Sequence, residues 1–132
     1  MRIGALAQVS GLSTQTIRYY ESIDLLPDPD RTPAGYREYA DDAAERLRFI
    51  RDAQAAGLTL AEVHTLVSMK DAGIGTCSHT LSFLEQHLAE IDAQIERLHA
   101  ARTEMLVLAE RARRLDPATC TDPNRCQVID RT

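Results

Sequence analysis

A mainly α-helical fold is predicted, and three observations predict it. Two short apolar-periodic segments near the start flank Gly11, the pattern of two helices joined by a tight turn. Two more helical segments follow between residues 41 and 70, the second opened by Thr59 with Glu62 three positions on. From Ser78 to Leu115 neither glycine nor proline interrupts the chain. Over that stretch apolar residues recur in alternating steps of three and four, the mark of one long amphipathic helix.

Taken in order, Ile3 to Val9 form the first helix, with Ile3, Leu6, Ala7 and Val9 on or near one face. Ser10-Gly11-Leu12 breaks it, and Ser13 supplies a side-chain oxygen to cap a second helix from Thr14 to about Ser22. Leu25-Leu26-Pro27 ends that helix and leads into a polar stretch, residues 28–35. Tyr36-Arg37-Glu38-Tyr39 alternates aromatic and charged residues, as a short strand does. Asp41-Asp42 places acid at the positive end of a third helix, which turns Ala44, Leu47, Ile50 and Ala53 inward and stops near Gly57. Thr59 and Glu62 form a capping box for a fourth helix reaching about Lys70. After a glycine-containing linker, Leu81, Leu84, Leu88, Ile91, Ile95 and Leu98 trace a heptad seam, which weakens past Arg102 with Met105, Leu108 and Ala112 on a drifting face. Asp116-Pro117 stops the long helix, and the tail is irregular apart from a turn at Val128-Ile129.

Helix, glycine turn, helix and a two-stranded wing make a winged helix-turn-helix, in which the second helix enters the DNA major groove. On that helix Ile17 faces inward, leaving Thr14, Gln15, Thr16, Arg18 and Tyr19 for DNA. Gln15 suits a base edge, and Arg18 a guanine or a phosphate. Arg37 with the hydroxyls of Tyr36 and Tyr39 suits a wing that holds the sugar-phosphate backbone. The net charge of −5 is set against four arginines in the first third, Arg2, Arg18, Arg31 and Arg37, so the total does not decide the matter.

These residues resemble a known family. Ile3-Gly4-Ala5-Leu6-Ala7, then Thr16-Ile17-Arg18-Tyr19-Tyr20-Glu21 and Leu25-Leu26-Pro27, look like the amino-terminal signature of MerR-family regulators. Tyr36-Arg37-Glu38-Tyr39 is similar to the family's wing, and Arg48-Phe49-Ile50 with Gly57-Leu58-Thr59-Leu60 to its next two helices. The resemblance implies a homodimer on double-stranded promoter DNA. There an effector leads the protein to bend and untwist the duplex, so that RNA polymerase finds its elements in register.

Cys77, Cys120 and Cys126 are an odd number in a chain whose start, Met1-Arg2-Ile3-Gly4, lacks the apolar core of a secretion signal. A disulfide framework is therefore not expected, no apolar stretch approaches the roughly 20 residues that span a bilayer, and a cytoplasmic location is expected. A helix from Ser78 to Leu115 is about 55 Å long, so Cys77 at one end does not meet Cys120 or Cys126 at the other within one chain. Antiparallel pairing of two such helices brings them together across a dimer, giving two equivalent sites. Three thiolates suit a soft or borderline divalent ion, Zn(II), Hg(II), Cd(II) or Pb(II). His79 is a candidate fourth ligand, and Asp122 a candidate oxygen donor or outer partner. His64, His87 and His99 are assigned to solvated or packing faces.

Family resemblance adds that divalent-ion sensors carry cysteine at the position of Cys77, where copper(I) and gold sensors carry serine. Cys126-Gln127-Val128-Ile129 resembles the Cys-Pro-hydrophobic end of the family's metal loop. The chain also departs from that pattern. The loop usually opens with a cysteine near the place of Ala112, whereas here Cys120, eight residues later, takes that part.

The expected organisation is therefore a DNA-binding domain at 1–70, a linker at 71–77, a dimerisation helix forming an antiparallel coiled coil at 78–115, and a metal-binding loop and tail at 116–132. Two other readings keep parts of this plan: a redox switch closing a Cys120–Cys126 disulfide, and a zinc-stabilised interaction module without promoter activity. An enzyme is not expected, because the sequence holds no credible nucleophile–base pair and no phosphate-binding glycine loop.

Overall fold

In a computed structural model of the chain, residues 1–130 are described, and five α-helices and one two-stranded sheet account for most of them. The final two residues of the expected 116–132 segment lie outside the described residues. The chain divides into two units, Met1–His87 and Leu88–Thr132.

In the first unit, α1 (Ile3–Ser10) ends at Gly11, whose φ of 73° places it in the left-handed region and lets its N–H reach the Ala7 carbonyl. A residue with a Cβ is strained in that conformation, so the glycine is what makes the turn tight. Helix α2 (Thr14–Ser22) has the bounds expected from sequence, and the Ser13 hydroxyl accepts from the Thr16 N–H at 3.1 Å. Beyond it Asp24 takes φ 62°, a conformation that aspartate tolerates better than most residues, and the turn sends Leu25 and Leu26 into the core.

Strands β1 (Asp30–Arg31) and β2 (Arg37–Glu38) pair antiparallel, with Asp30 opposite Glu38 and Arg31 opposite Arg37. Gly35 at φ 87° closes the loop between them, where the Thr32 N–H bonds the Tyr36 carbonyl at 2.8 Å. The Tyr39 N–H bonds the Met1 carbonyl at 2.7 Å, tying the end of the wing back to the start of the chain.

Helix α3 (Ala43–Ala55) buries Ala43, Leu47 and Ile50, while Ala44 and Ala53 are only half-buried. The inward face therefore begins one residue earlier than the sequence reading placed it. Helix α4 (Leu60–Asp71) starts with the full capping box: the Thr59 hydroxyl accepts from the Glu62 N–H, and a Glu62 oxygen accepts from the Thr59 N–H at 2.9 Å. Val63, Leu66 and Val67 of α4 meet Leu6, Ile17, Tyr20 and the buried side chains of α3 in one hydrophobic core. Val9 is the exception among the α1 positions read as inward, since it is exposed.

Helix α5 runs unbroken from Cys77 to Arg114, 38 residues and about 57 Å. Cys77 is thus its first residue and not the residue before it. Within the first unit, Phe83 and Leu84 lean on the core. Further along, the seam is open to solvent: Leu88 is 57%, Ile91 48%, Ile95 46% and Leu98 69% exposed. No residue of α5 is buried. Asp116 then caps a single 3-10 turn, Pro117–Thr119, with Pro117 in its first position. Among the described residues no helix is long and apolar enough to cross a membrane.

Candidate DNA interface and metal centre

The second helix of the helix-turn-helix presents what its sequence promised. Ile17 and Tyr20 are buried, so the opposite face carries Gln15, Arg18 and Tyr19 in the open, with Thr14 and Thr16 half-exposed. The Thr16 hydroxyl sits 2.9 Å from that of Ser13, so it helps cap the helix as well as lining its first turn.

In the wing the two tyrosines have opposite fates. Tyr36 is exposed, and the Arg2 guanidinium lies 4.5 Å from its ring centroid, a cation–π stack that joins the chain start to the wing tip. Tyr39 is only 4% exposed and its hydroxyl donates to Glu21 of α2. The reading of Tyr39 as a phosphate contact is therefore corrected: alternation puts it on the inner face of the strand, where it joins the core. Burial and the Glu21 carboxylate both push the Tyr39 hydroxyl well above its usual pKa. Glu21 also takes the Arg37 Nε at 3.3 Å, so one carboxylate holds the recognition helix to the wing through two residues. Glu21 was not singled out in sequence. Its place within the Arg18–Glu21 run, on the turn facing the strand, was the only available signal.

His87 was assigned to a solvated or packing face, and the structure gives it a specific partner. Its Nε2 lies 2.7 Å from the Glu62 oxygen that also completes the capping box. The Thr59 N–H and His87 together hold the Glu62 carboxyl below its ordinary pKa range.

The three cysteines are all free thiols. Cys77 is exposed at the start of α5 in the first unit, and one half-turn on His79 stands edge-on to Phe83, centroids 6.4 Å apart. Cys120 and Cys126 lie together in the second unit. The Gln127 N–H donates to Cys120 Sγ at 3.4 Å, and Cys120 in turn faces the Cys126 sulfur. Main-chain amides of Val128 and Ile129 point at Cys126 and draw its pKa down, favouring the thiolate that binds metal. Asp122 spends one oxygen on the Asn124 N–H at 2.9 Å, which shapes the loop. A cleft of about 320 Å³ opens beside Cys120, lined by Arg111, Asp122, Arg125 and Asp130 among others. Among the described residues no group of three or more His, Cys, Asp or Glu side chains is gathered to hold a metal within the single chain. The donor set nevertheless fits a soft cation, being three reduced thiols with amide support at one of them.

An exposed polar face on the second helix, held to a two-stranded wing on a core of four short helices, defines a winged helix-turn-helix DNA-binding regulator. The comparisons sharpen the class. A family model described as MerR HTH family regulatory protein matches residues 1–70, and one described as MerR, DNA binding matches residues 44–108. The chain belongs to the MerR family of transcription regulators and is accordingly no enzyme. It is 37% identical to the mercuric resistance operon regulatory protein of Bacillus cereus over 83% of each chain. It is 32% identical to the transcriptional regulator ZntR of Escherichia coli K12, over 90% of this chain and 80% of that one. Among solved structures it is similar to the transcription regulator PbrR691 from Ralstonia metallidurans CH34 in complex with lead(II), with a TM-score of 0.74 and 30% identity. That match covers 97% of this chain and 95% of the other.

Proposed function

We propose that this chain is a metal-responsive transcription regulator that works as a homodimer on promoter DNA. Its relatives carry names for mercuric resistance, ZntR and a lead(II) complex, which supports a divalent soft or borderline metal as effector. In this reading residues 1–70 bind DNA, 71–77 link, 78–115 dimerise and 116–132 form the metal loop. Gln15 and Arg18 read base edges. Thr14, Thr16, Tyr19, Tyr36 and Arg37 hold the phosphate backbone.

The observation that carries the proposal is the open apolar row on α5 together with free thiols at its first residue, Cys77, and past its last turn, Cys120 and Cys126. Each aliphatic side chain fully buried contributes roughly 1.5–3 kcal/mol, so leaving this row in water forgoes a sum comparable with the net stability of a small domain. A second copy laid antiparallel covers it. The same pairing sets Cys77 of one subunit beside Cys120 and Cys126 of the other, with His79 as a fourth donor. A bound metal supplies a cross-link between the subunits. The chain's own part is to convert that cross-link into a changed angle between the two DNA-binding units, which distorts the duplex for RNA polymerase.

Titrating the reduced protein with Cd(II) or Zn(II) is expected to saturate near one ion per subunit. Cys77→Ser is expected to abolish induction from a promoter reporter while leaving operator binding intact. An unchanged metal response in that variant would overturn the reading. The nearness of Cys120 and Cys126 favours a second reading, in which peroxide oxidises the two thiols to a disulfide. Mass spectrometry after mild peroxide treatment, with and without bound Zn(II), separates the two, because a metal site protects both thiols.

A further inference from the structure

Four hydrogen bonds in the tail converge on one residue outside the proposed ligand set. The Asp130 Oδ2 accepts from the Cys126 N–H at 3.1 Å and from the Arg125 Nε at 3.2 Å. The Asp130 N–H donates to the Cys126 carbonyl at 2.9 Å, and the Asp130 carbonyl accepts from Arg111 Nη1 of α5 at 3.3 Å. Asp130 therefore closes the Cys126–Asp130 turn from both ends and moors it to the end of the long helix. Within that turn the amides of Val128 and Ile129 are aimed at the Cys126 sulfur. The turn contains neither glycine nor proline, and the Asp130 side chain adds to the backbone bonds that close it.

We propose that Asp130 is the positioning residue of the metal loop: by locking this turn it presents Cys126 Sγ at a fixed distance from Cys120. The inference rests on the metal reading above, and it says which residue organises the loop before metal arrives. The loop would otherwise have to be ordered at the moment of binding, at a cost in backbone entropy. Partners of this kind, one shell out from the ligands, typically change metal affinity by about 10- to 100-fold when removed.

The test uses the full-length reduced protein and Cd(II), followed by its thiolate-to-metal charge-transfer absorption in competition with a chelator. Asp130→Ala is expected to weaken Cd(II) binding at least about tenfold. Asp130→Asn keeps an oxygen acceptor for the Cys126 N–H while losing the charge, and is expected to stay within about threefold of wild type. Arg125→Gln removes the ion pair to Asp130 while leaving the Cys126 N–H bond to Asp130 Oδ2 in place, and is expected to behave like the Asn variant. Hydrogen exchange in the metal-free protein supplies a readout independent of the metal: the Cys126 and Asp130 amides are expected to exchange faster in Asp130→Ala. Wild-type affinity in Asp130→Ala overturns the proposal, as does an Asn variant as weak as Ala. A wild type that shows no thiolate absorption with Cd(II) overturns the metal reading itself, and the positioning role with it.

Discussion

The two units of the chain are built on opposite economies of burial. Among the described residues every buried one lies in Met1–His87, where α1 to α4 share one core and Glu21, Glu62 and Arg46 tie elements together through side-chain bonds. Between Leu88 and Asp130 nothing is buried, although the helix is continuous and its apolar spacing regular. The first unit specifies its shape from within. The second has helix-forming residues and local ion pairs such as Glu110 with Arg113 and Arg114, but its apolar row is exposed. The contrast supports the proposal that the second unit is completed by association, whereas the first closes its core within Met1–His87.

Breaking that contrast at the seam should have the largest effect. Ile91→Asp with Ile95→Asp puts two carboxylates where the proposed partner helix lies, and burying them unpaired is costly. Dimer dissociation, followed by sedimentation, is expected to rise at least about a thousandfold, roughly 4 kcal/mol. The core of residues 1–87 should survive, so helix-turn-helix chemical shifts are expected to persist in the monomer. The reciprocal change lies in α3. Leu47→Ala removes a fully buried side chain and is expected to cost about 2–5 kcal/mol of unfolding free energy. Its effect should be independent of protein concentration, unlike the melting of the intact dimer.

Sequence alone made the first unit largely legible because its signals are local. Ser13 before Thr14 and Thr59 before Glu62 place two helix starts by hydrogen bonds spanning only three residues, and both occur as expected. What escaped needed three-dimensional context. Tyr36 and Tyr39 fall on opposite faces of an alternating strand, and the core together with Glu21 on the neighbouring helix decides that Tyr39 is the one turned inward. Ala43 and Ala44 differ by one step of helical phase, which the true start of α3 sets. Asp116-Pro117 was legible as a stop, yet the same pair is also a cap with proline in the first position of a new turn. The proposed metal site was legible only as a pair of distant ends, because in that proposal its donors come from two chains.

The Glu21 junction offers an intermediate test within the first unit. Tyr39→Phe removes the hydroxyl donor from a largely buried carboxylate and is expected to cost about 1–2 kcal/mol, measured by urea unfolding. Arg37 still holds Glu21, so the loss should stay well below that of Leu47→Ala. If the wing is positioned through this carboxylate, operator affinity falls together with stability. A drop in stability alone would separate the junction from DNA recognition.

The smallest effect concerns a side-chain bond that reaches α5 from α4. Glu62 accepts from the Thr59 N–H and from His87, and both hold its carboxyl below the ordinary glutamate range. A folded-state pKa depressed below the unfolded value stabilises the protein above the unfolded value and is lost as pH falls through the folded one. Stability of the wild type should therefore decline as acid protonates Glu62, in the window below the ordinary glutamate pKa. Glu62→Gln keeps an oxygen for the capping bond and removes the titration, so it is expected to flatten that limb of the pH profile while lowering stability at neutral pH. His87→Gln should reproduce part of the flattening and leave the cap intact, since the Thr59 bond does not involve the imidazole. An acid limb unchanged in both variants would assign the decline to carboxylates elsewhere and leave the Glu62–His87 contact without weight in the fold.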